Sequence, residues 1–236
     1  MIVDFHSHIL PQLDDGSSSV EESLQMLRME AEQGINYVIA TPHFYVQEDS
    51  PKQFLEKRSL SERKLREAIR GIKGLPKVII GAEVYYFPGI SESNILSKMV
   101  IQNTKAILIE MPPAPWTDRM YGELEEIYNK GYIPVVAHVD RYIQPFRTYD
   151  IPKRLEKLPV LVQTNAEFFL QKSTRKMALR MLMKDRIHLL GSDCHNTKNR
   201  IPNISEAVDV IKQFQGENAL NQIHLYEKCV LHSIKY

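Results

Sequence analysis

The chain has 236 residues, of which 43% are hydrophobic and 25% are charged, and its formal net charge is +1. This composition is typical of a folded protein with a large core, and the near-neutral charge disfavours a nucleic-acid partner, because phosphate backbones bind clustered basic faces. No apolar run reaches the roughly 18 residues that a membrane-spanning helix needs, so we expect no insertion into a membrane.

The chain has only two cysteines, Cys194 and Cys229, which is no disulfide framework and suits a reducing compartment. The first candidate ligand described below is residue 6, which leaves no room for a signal peptide ahead of it. We therefore expect a cytoplasmic protein.

Short apolar runs alternate with amphipathic stretches along the chain. The runs are rich in β-branched residues and end at Pro, Gly or a polar residue, which predicts strands. The predicted strands cover residues 2–5, 36–41, 77–82, 105–109, 132–137, 159–164 and 186–191. Apolar residues at helical spacing predict helices over residues 20–33, 51–72, 91–99, 118–130, 168–184, 204–214 and 217–233.

Strands that alternate with helices predict a parallel sheet, and strands without polar alternation suit burial on both faces. Barrels built from such units commonly run about 200 to 250 residues as one domain. We therefore expect an α/β fold in which residues 1–236 form a single distorted TIM-like barrel of seven βα units. We find no internal repeat or linker that would mark a domain boundary.

The first predicted strand leads into His6-Ser-His8, and a loop with Asp14 and Asp15 follows. Side chains two residues apart on an extended chain point the same way, so both imidazoles can face one metal ion. Asp14 or Asp15 can add a carboxylate. Taken alone, the motif fits two surface histidines and an acidic turn equally well.

Other histidines and carboxylates follow the ends of further predicted strands. They are His43, Glu83, Glu110, His138, Asp193 and His195. In a barrel the C-terminal strand ends converge on one mouth, where active sites lie. Packing such side chains together is costly unless something binds them, and a divalent cation does so.

With His6, His8 and one loop aspartate, the candidate ligands number nine. A catalytic zinc usually takes three protein ligands, so this set predicts two or three ions that share a bridging carboxylate. Imidazole and carboxylate ligands favour manganese, iron or zinc.

The motifs that carry these residues also have a familiar order. They are Asp4-Phe-His-Ser-His-Ile-Leu, Leu13-Asp-Asp-Gly, Ala40-Thr-Pro-His43, Gly81-Ala-Glu83, Leu108-Ile-Glu110, Val136-Ala-His138 with Arg141, and Ser192-Asp-Cys-His-Asn196 with Arg200. Over nearly the whole chain, this order resembles the polymerase and histidinol phosphatase (PHP) family. Within that family it is similar to the bacterial manganese-dependent protein-tyrosine phosphatases of capsule and exopolysaccharide gene clusters.

The resemblance implies a barrel of the PHP type and a division of the ligands among three ions, most often manganese. His6, His8, Glu83 and Asp193 would hold the first, Glu83, Glu110 and His138 the second, and Asp15, His43 and His195 the third. Arg141 and Arg200 match positions that contact the substrate phosphate, a task that suits a planar guanidinium. The implied partner is a phosphotyrosine protein, a membrane-associated tyrosine kinase with a tyrosine-rich tail.

The chain departs from the family pattern at two places. Asp140 stands where relatives often have Glu before the arginine. His43 is followed by Phe44-Tyr-Val, where relatives often carry polar or basic residues. Both departures concern the substrate pocket more than the metal ligands.

The function that we expect is metal-assisted hydrolysis of a phosphomonoester, phosphotyrosine. Within the same family, histidinol phosphate or another small phosphomonoester is the alternative substrate. A metal-dependent nuclease of the TatD type also begins with His-x-His, but its substrate calls for a basic groove. A metal-containing scaffold protein would bind a phosphopeptide without releasing phosphate.

Cys194 and Arg200 have the Cys-x5-Arg spacing of the cysteine-dependent tyrosine phosphatases. The chain lacks the glycine-rich loop that would direct backbone N–H groups at phosphate, and Asp193 beside the thiol would raise the pKa of that thiol. We therefore expect Cys194 to point away from the site.

Overall fold

The computed structural model describes residues 1–143 and 150–232, and within them parallel strands alternate with helices in a mixed α/β fold. The strands are β1 (Val3–Ser7), β2 (Tyr37–Ala40), β3 (His43–Phe44), β4 (Lys77–Ile80), β5 (Glu83–Tyr85), β6 (Ala106–Glu110), β7 (Ile133–Val136), β8 (Leu161–Asn165) and β9 (Leu189–Gly191). The helices are α1 (Val20–Glu32), α2 (Pro51–Ala68), a 3₁₀ turn (Ile90–Glu92), α3 (Leu96–Met99), α4 (Asp118–Asn129), α5 (Asp140–Ile143), α6 (Asp150–Leu155), α7 (Glu167–Leu170), α8 (Arg175–Met183), α9 (Ile204–Gln215) and α10 (Glu217–Leu231).

The strands pair in two sheets, in the orders β1-β2-β4 and β3-β5-β6-β7-β8-β9. Each predicted strand is present. Two short strands were not predicted: β3 follows β2 after a break at Thr41 and Pro42, and β5 follows β4 after a break at Gly81 and Ala82. Hydrogen bonds cross both breaks, from Gly81 N to the Ala40 carbonyl (2.8 Å) and from Glu83 N to the Pro42 carbonyl (2.9 Å). The two sheets therefore form one curled parallel surface.

The segment after β9 meets the end of β1. The backbone N–H of His8 donates to the Cys194 carbonyl (2.9 Å), and that of Asp193 donates to the His6 carbonyl (2.8 Å). These bonds join the first strand, β1, to the last strand, β9, at the C-terminal strand ends of the curled sheet.

Several helix predictions need correction. The helix predicted over 51–72 ends at Ala68, and that over 91–99 is a 3₁₀ turn followed by α3. The helix predicted over 168–184 is two helices, because Gln171 has an extended backbone (φ −68°, ψ 128°) and ends α7. The Thr174 hydroxyl, just before α8, donates to the Phe168 carbonyl (2.7 Å). Helices α5 and α6 were not predicted, and Ser233, the last residue of the final predicted helix, lies outside the described residues.

The strands are buried on both faces, as expected. One hydrophobic cluster joins the outward-facing strand residues to the helices. A second consists mainly of strand side chains, among them Val3, Phe5 and Val135, together with Val230 of α10. Because hydrophobic side chains pack closely on both faces of the strands, the residues at the strand ends have fixed positions.

Within residues 1–143 and 150–232, no helix combines the length and the apolar character that crossing a membrane would require.

Candidate metal centre

The C-terminal strand ends bring all nine predicted ligands into one cluster. His6 lies on β1, His43 and Glu83 open β3 and β5, and Glu110 closes β6. The other five lie in the loops that follow β1, β7 and β9, and they are His8, Asp15, His138, Asp193 and His195. Ligand atoms from these residues fall into overlapping groups whose members lie within 4.8 Å of one another.

The first group consists of His6, His8, Glu83 and Asp193, all of them buried. The Nε2 atom of His6 lies 3.1 Å from Glu83 Oε2 and 3.7 Å from Asp193 Oδ1. The Nε2 atom of His8 lies 3.4 Å and 3.5 Å from the same two oxygens. Two imidazoles and two carboxylates thus converge on one point.

The second group shares Glu83 with the first. The Nε2 atom of His138 lies 2.7 Å from Glu83 Oε1 and 3.6 Å from Glu110 Oε1. Because the two oxygens of Glu83 face different histidines, this carboxylate would be shared if both groups held an ion.

The third group lies on the outer side of His8. Asp15 Oδ1 is 3.3 Å from His195 Nε2 and 3.5 Å from His43 Nε2. Asp14 has another role, since its Oδ2 atom accepts a hydrogen bond from His8 Nδ1 (2.7 Å) and one from the His43 backbone N–H (3.0 Å). Of the two loop aspartates, Asp15 therefore faces the ligand cluster, and Asp14 orients His8.

The donor set fits divalent cations. Among the described residues, Glu83 Oε2, Glu110 Oε2 and His195 Nε2 are buried without a hydrogen bond. Buried polar atoms rarely remain unpaired, and bound cations would satisfy these three. Imidazole nitrogens and carboxylate oxygens suit manganese, iron and zinc.

Electrostatics favour the metal-binding form of two residues of the cluster, Glu83 and His195. Burial opposes ionisation of Glu83, but the neighbouring His6 and His138 outweigh it and hold the pKa of Glu83 well below its usual range. Burial and the neighbouring His8 lower the pKa of His195 to about 4. Ionised carboxylates and neutral imidazoles are the forms that bind metal.

Two of the candidate ligands have an unusual backbone conformation. His138 has φ 31° and Asp193 has φ 55°, in the left-handed region that residues with a side chain rarely adopt. Gln163 holds His138 in place by accepting a hydrogen bond from its backbone N–H (2.6 Å). Such strain concentrates at functional sites, where the surrounding structure enforces it.

The two predicted phosphate-binding arginines flank the cluster. Arg200 Nη2 donates to Asp193 Oδ1 (2.9 Å), and Arg141 donates to Asp193 Oδ2. Both arginine side chains are partly exposed, and they line a cavity of about 420 Å³ beside the ligands. Asn165 also reaches Asp193 Oδ2 (2.9 Å) from the end of β8.

Asp140, where the chain departs from the family pattern, binds the neighbouring strand. Its Oδ1 atom accepts hydrogen bonds from the Thr164 hydroxyl (2.8 Å) and from the Asn165 backbone N–H (3.0 Å). These bonds fix the start of α5, and with it the position of Arg141.

Cys194 points away from the ligands, as predicted. Its side chain is fully buried, and its sulfur lies 3.9 Å from Glu30 of α1. Burial, together with the charges of Glu30 and Asp4, raises the pKa of the thiol well above its ordinary value. A buried protonated thiol is a poor nucleophile, which disfavours a thiolate mechanism.

Sequence reasoning missed several supporting residues. Gln163 supports His6 and His138, and Asp4 accepts hydrogen bonds from the backbone N–H groups of His6 (3.1 Å) and Ser192 (2.9 Å). Gln163 lies within a predicted strand, where an amide among apolar residues was the available signal. Asp4 shares the face of an extended strand with His6, which was the corresponding signal there.

The fold and the site together define the class of protein. A curled parallel α/β sheet carries, at its C-terminal strand ends, a cluster of histidines and carboxylates that could hold metal ions. Residues 2–231 match the family described as capsular polysaccharide synthesis, CpsB/CapC, and the chain belongs to that family.

Relatives within the family are similar to most of the chain. The tyrosine-protein phosphatase YwqE of Bacillus subtilis (strain 168) is 31% identical over 229 residues, which are 92% of this chain and 86% of YwqE. The tyrosine-protein phosphatase CpsB of Streptococcus agalactiae serotype III (strain NEM316) is 28% identical over 240 residues, 95% of each chain.

A solved structure is similar as well. It comes from the crystal structures of YwqE from Bacillus subtilis and CpsB from Streptococcus pneumoniae, which are metal-dependent tyrosine phosphatases. The match has a TM-score of 0.85 and 25% sequence identity, and it covers 100% of this chain and 96% of the other. The curled sheet described above is thus a fold that metal-dependent phosphatases use.

Proposed function

We propose that this protein is a metal-dependent protein-tyrosine phosphatase, which hydrolyses the phosphomonoester of phosphotyrosine. The observation that carries the proposal is the position of Glu83, whose two oxygens face different histidines while Arg141 and Arg200 stand beside the same cluster. The relatives named tyrosine-protein phosphatase support it, since the chain is similar to them over nearly its whole length.

We propose a division of the nine ligands among three ions, which the distances between the side chains support. His6, His8, Glu83 and Asp193 would hold one, Glu83, Glu110 and His138 a second, and Asp15, His43 and His195 a third. We propose manganese as the ion, with iron or zinc as the other ions that these ligands suit. We also propose that residues 1–236 form a single domain, a distorted barrel of seven βα units of the PHP type.

Bound divalent ions supply charge neutralisation for the phosphoryl oxygens and activation of a water molecule for attack. Arg141 and Arg200 bind the remaining phosphoryl oxygens, because each presents a planar, permanently charged guanidinium at the edge of the cluster. Asp193 holds both guanidinium groups in position through its two carboxylate oxygens. Asp14 and Gln163 keep His8 and His6 oriented toward Glu83.

The physiological substrate that we propose is a phosphotyrosine on a tyrosine kinase at the membrane, encountered from the cytoplasm. The family description, capsular polysaccharide synthesis, agrees with such a partner. The net charge of +1 agrees with a protein substrate better than with nucleic acid.

Elemental analysis combined with turnover assays tests the proposal. The purified protein is expected to hold two or three divalent ions per chain and to release phosphate from a phosphotyrosine peptide. Chelation is expected to abolish turnover, and added manganese to restore it. Histidinol phosphate and single-stranded DNA, assayed side by side, are expected to react far more slowly.

Three outcomes would contradict the proposal. Faster turnover of histidinol phosphate would assign a small phosphomonoester as the substrate, and cleavage of DNA would assign a nuclease. A manganese-loaded protein that binds the phosphopeptide without releasing phosphate would be a scaffold.

A further inference from the structure

Two tyrosines stand next to the metal ligands on neighbouring strand ends. Tyr45 comes two residues after His43, and Tyr85 comes two residues after Glu83. Strands β3 and β5 pair in register, His43 with Glu83. Because side chains two apart on a strand share a face, both tyrosines project on the same side as the two ligands.

The intervening residues confirm this direction. Phe44 and Val84 belong to the core cluster that packs against the helices, so they face away from the ligands. The rings of Tyr45 and Tyr85 lie 5.4 Å apart, and the Tyr45 hydroxyl lies 3.2 Å from His43 Nδ1. Both tyrosines are only partly buried, so their rings are accessible at the mouth.

We infer that Tyr45 and Tyr85 form an aromatic wall that binds the phenyl ring of the substrate and so selects aryl phosphates over alkyl phosphates. This inference rests on the proposed function and names the specificity determinant of that same site.

The spacing along the strands suits this role. Two residues on a strand advance the chain by about 7 Å, so the tyrosines stand one layer outside the ligands that would hold the phosphate. A phenyl ester extends outward from its phosphorus into that layer, whereas the short alkyl chain of phosphoserine presents no ring there. Contacts between aromatic rings stabilise a complex by more than the buried area alone accounts for. The phenyl ring of a substrate therefore gains binding free energy by packing against Tyr45 and Tyr85.

The charges around the tyrosines favour the same assignment. Glu48 is not among the proposed ligands, and it lines a cavity of about 340 Å³ together with Tyr45. Its carboxylate repels an anionic group, so the phosphate stays at the metal ligands and the arginines, and the uncharged ring is the part of the substrate that meets Tyr45.

Binding of two phosphonates tests the inference without any reaction. We expect the manganese-loaded protein to bind phenylphosphonate more tightly than methylphosphonate in calorimetry. Tyr45→Leu and Tyr85→Leu are each expected to weaken phenylphosphonate binding by about two- to tenfold, the range that an aromatic pair supplies, and to leave methylphosphonate unchanged. Tyr45→Phe and Tyr85→Phe keep the ring and are expected to bind both phosphonates as the original protein does.

Turnover gives the second readout. The leucine variants are expected to lose kcat/KM on a phosphotyrosine peptide and to keep any residual rate on the phosphoserine version of that peptide. Tyr37→Leu is the matched control, because Tyr37 is a partly buried tyrosine at the start of β2, away from the ligands, and it should change neither readout.

Equal weakening of both phosphonates in the leucine variants would overturn the inference, as would unchanged binding. Loss of binding in Tyr45→Phe would assign the effect to the hydroxyl group on His43 instead of the ring. Failure of the proposed function gives a different result. In that case the original protein does not hydrolyse the phosphotyrosine peptide, whereas the binding of the two phosphonates can still be compared.

Discussion

Asp14 and His8 form a hydrogen bond of 2.7 Å between Oδ2 and Nδ1, and this bond leaves Nε2 of His8 facing Glu83 and Asp193. Although burial opposes it, the bond from His8 lowers the pKa of Asp14 to about 2, so Asp14 stays ionised. A metal-ligating histidine is commonly oriented by a carboxylate on its other ring nitrogen. Two adjacent aspartates thus have different roles, one orienting a ligand and one facing the ligand cluster.

This difference predicts different metal contents for two alanine variants. Asp15→Ala removes a ligand, so we expect it to lose about one ion per chain. Asp14→Ala removes only the orienting group, so we expect the full number of ions at saturation with an affinity about 10- to 100-fold weaker. Elemental analysis gives the stoichiometry, and titration with manganese gives the affinity.

Glu48→Ala is the control, since Glu48 is an exposed acidic residue of the same cavity that contacts none of the proposed ligands through a hydrogen bond in the described structure. If Asp14→Ala lost an ion while Asp15→Ala kept the full number, the assignment of the two roles would be reversed.

The second prediction concerns Gly191, where β9 lies very close to β1. A Cβ atom at Gly191 would lie 2.5 Å from His6 Cβ and 2.5 Å from Gln163 Nε2. Relieving such contacts must shift His6, so we expect Gly191→Ala to destabilise the fold by about 1–3 kcal/mol and to weaken metal binding. Unfolding in urea and metal titration measure the two effects.

Gly122 offers the matched substitution. It lies within α4, and a Cβ atom there would meet nothing within 4 Å. Alanine is a better helix former than glycine, so Gly122→Ala is expected to stabilise the fold by about 0.5–1 kcal/mol. Equal effects of the two substitutions would show that the close approach of β9 to β1 is unimportant.

The sequence is enough to bring the candidate ligands together because each one lies at or just after the end of a predicted strand. The residue types and the order of strands are enough to place His43, Glu83 and His138 at one edge of a parallel sheet. The same rule explains why Tyr45 and Tyr85 were overlooked, since a tyrosine near a strand is ordinarily a core residue.

Features that depend on tertiary contacts could not be predicted. Amphipathic spacing over 168–184 gave one helix, whereas the extended backbone of Gln171 ends α7 and separates it from α8. Glu30 lies in α1 and is fully buried against Asp4 and Cys194, although a glutamate in an amphipathic helix normally faces solvent. The choice between Asp14 and Asp15 also needed the fold, because only their distances to His8 and His195 separate them.

Cys194 supplies a third prediction, about the mechanism. Its sulfur is buried against Glu30, and a hydroxyl group can take the same place beside that carboxyl group. We expect Cys194→Ser to hydrolyse a phosphotyrosine peptide within about twofold of the original rate, since metal-assisted hydrolysis needs no thiolate. Steady-state kinetics on metal-loaded protein measures this, with elemental analysis of the same sample.

Loss of activity in Cys194→Ser with the metals still bound would indicate a thiolate mechanism. Cys229→Ser controls for the loss of a buried thiol elsewhere, because Cys229 lies in α10 and is also buried.

His188 supplies the last prediction, on stability against pH. Its Nδ1 atom accepts a hydrogen bond from the Val162 backbone N–H (2.9 Å), and burial lowers the pKa of the imidazole although Asp185 partly opposes this. In the unfolded chain the pKa is about 6.5. Below that pH the unfolded chain takes up a proton that the folded protein does not, so the free energy of unfolding falls as the pH drops.

His188→Gln removes this titration. We expect the variant to be less stable than the original protein at pH 8, by about 1 kcal/mol for the altered hydrogen bond, and to lose less stability between pH 7.5 and about 5.5. Urea unfolding at several pH values, with a chelator present so that metal release does not contribute, measures both effects. His232→Gln removes an exposed histidine and should leave the slope of the original protein. Parallel curves for His188→Gln and the original protein would show that His188 is protonated equally in both states, and would contradict the effect of burial on its pKa.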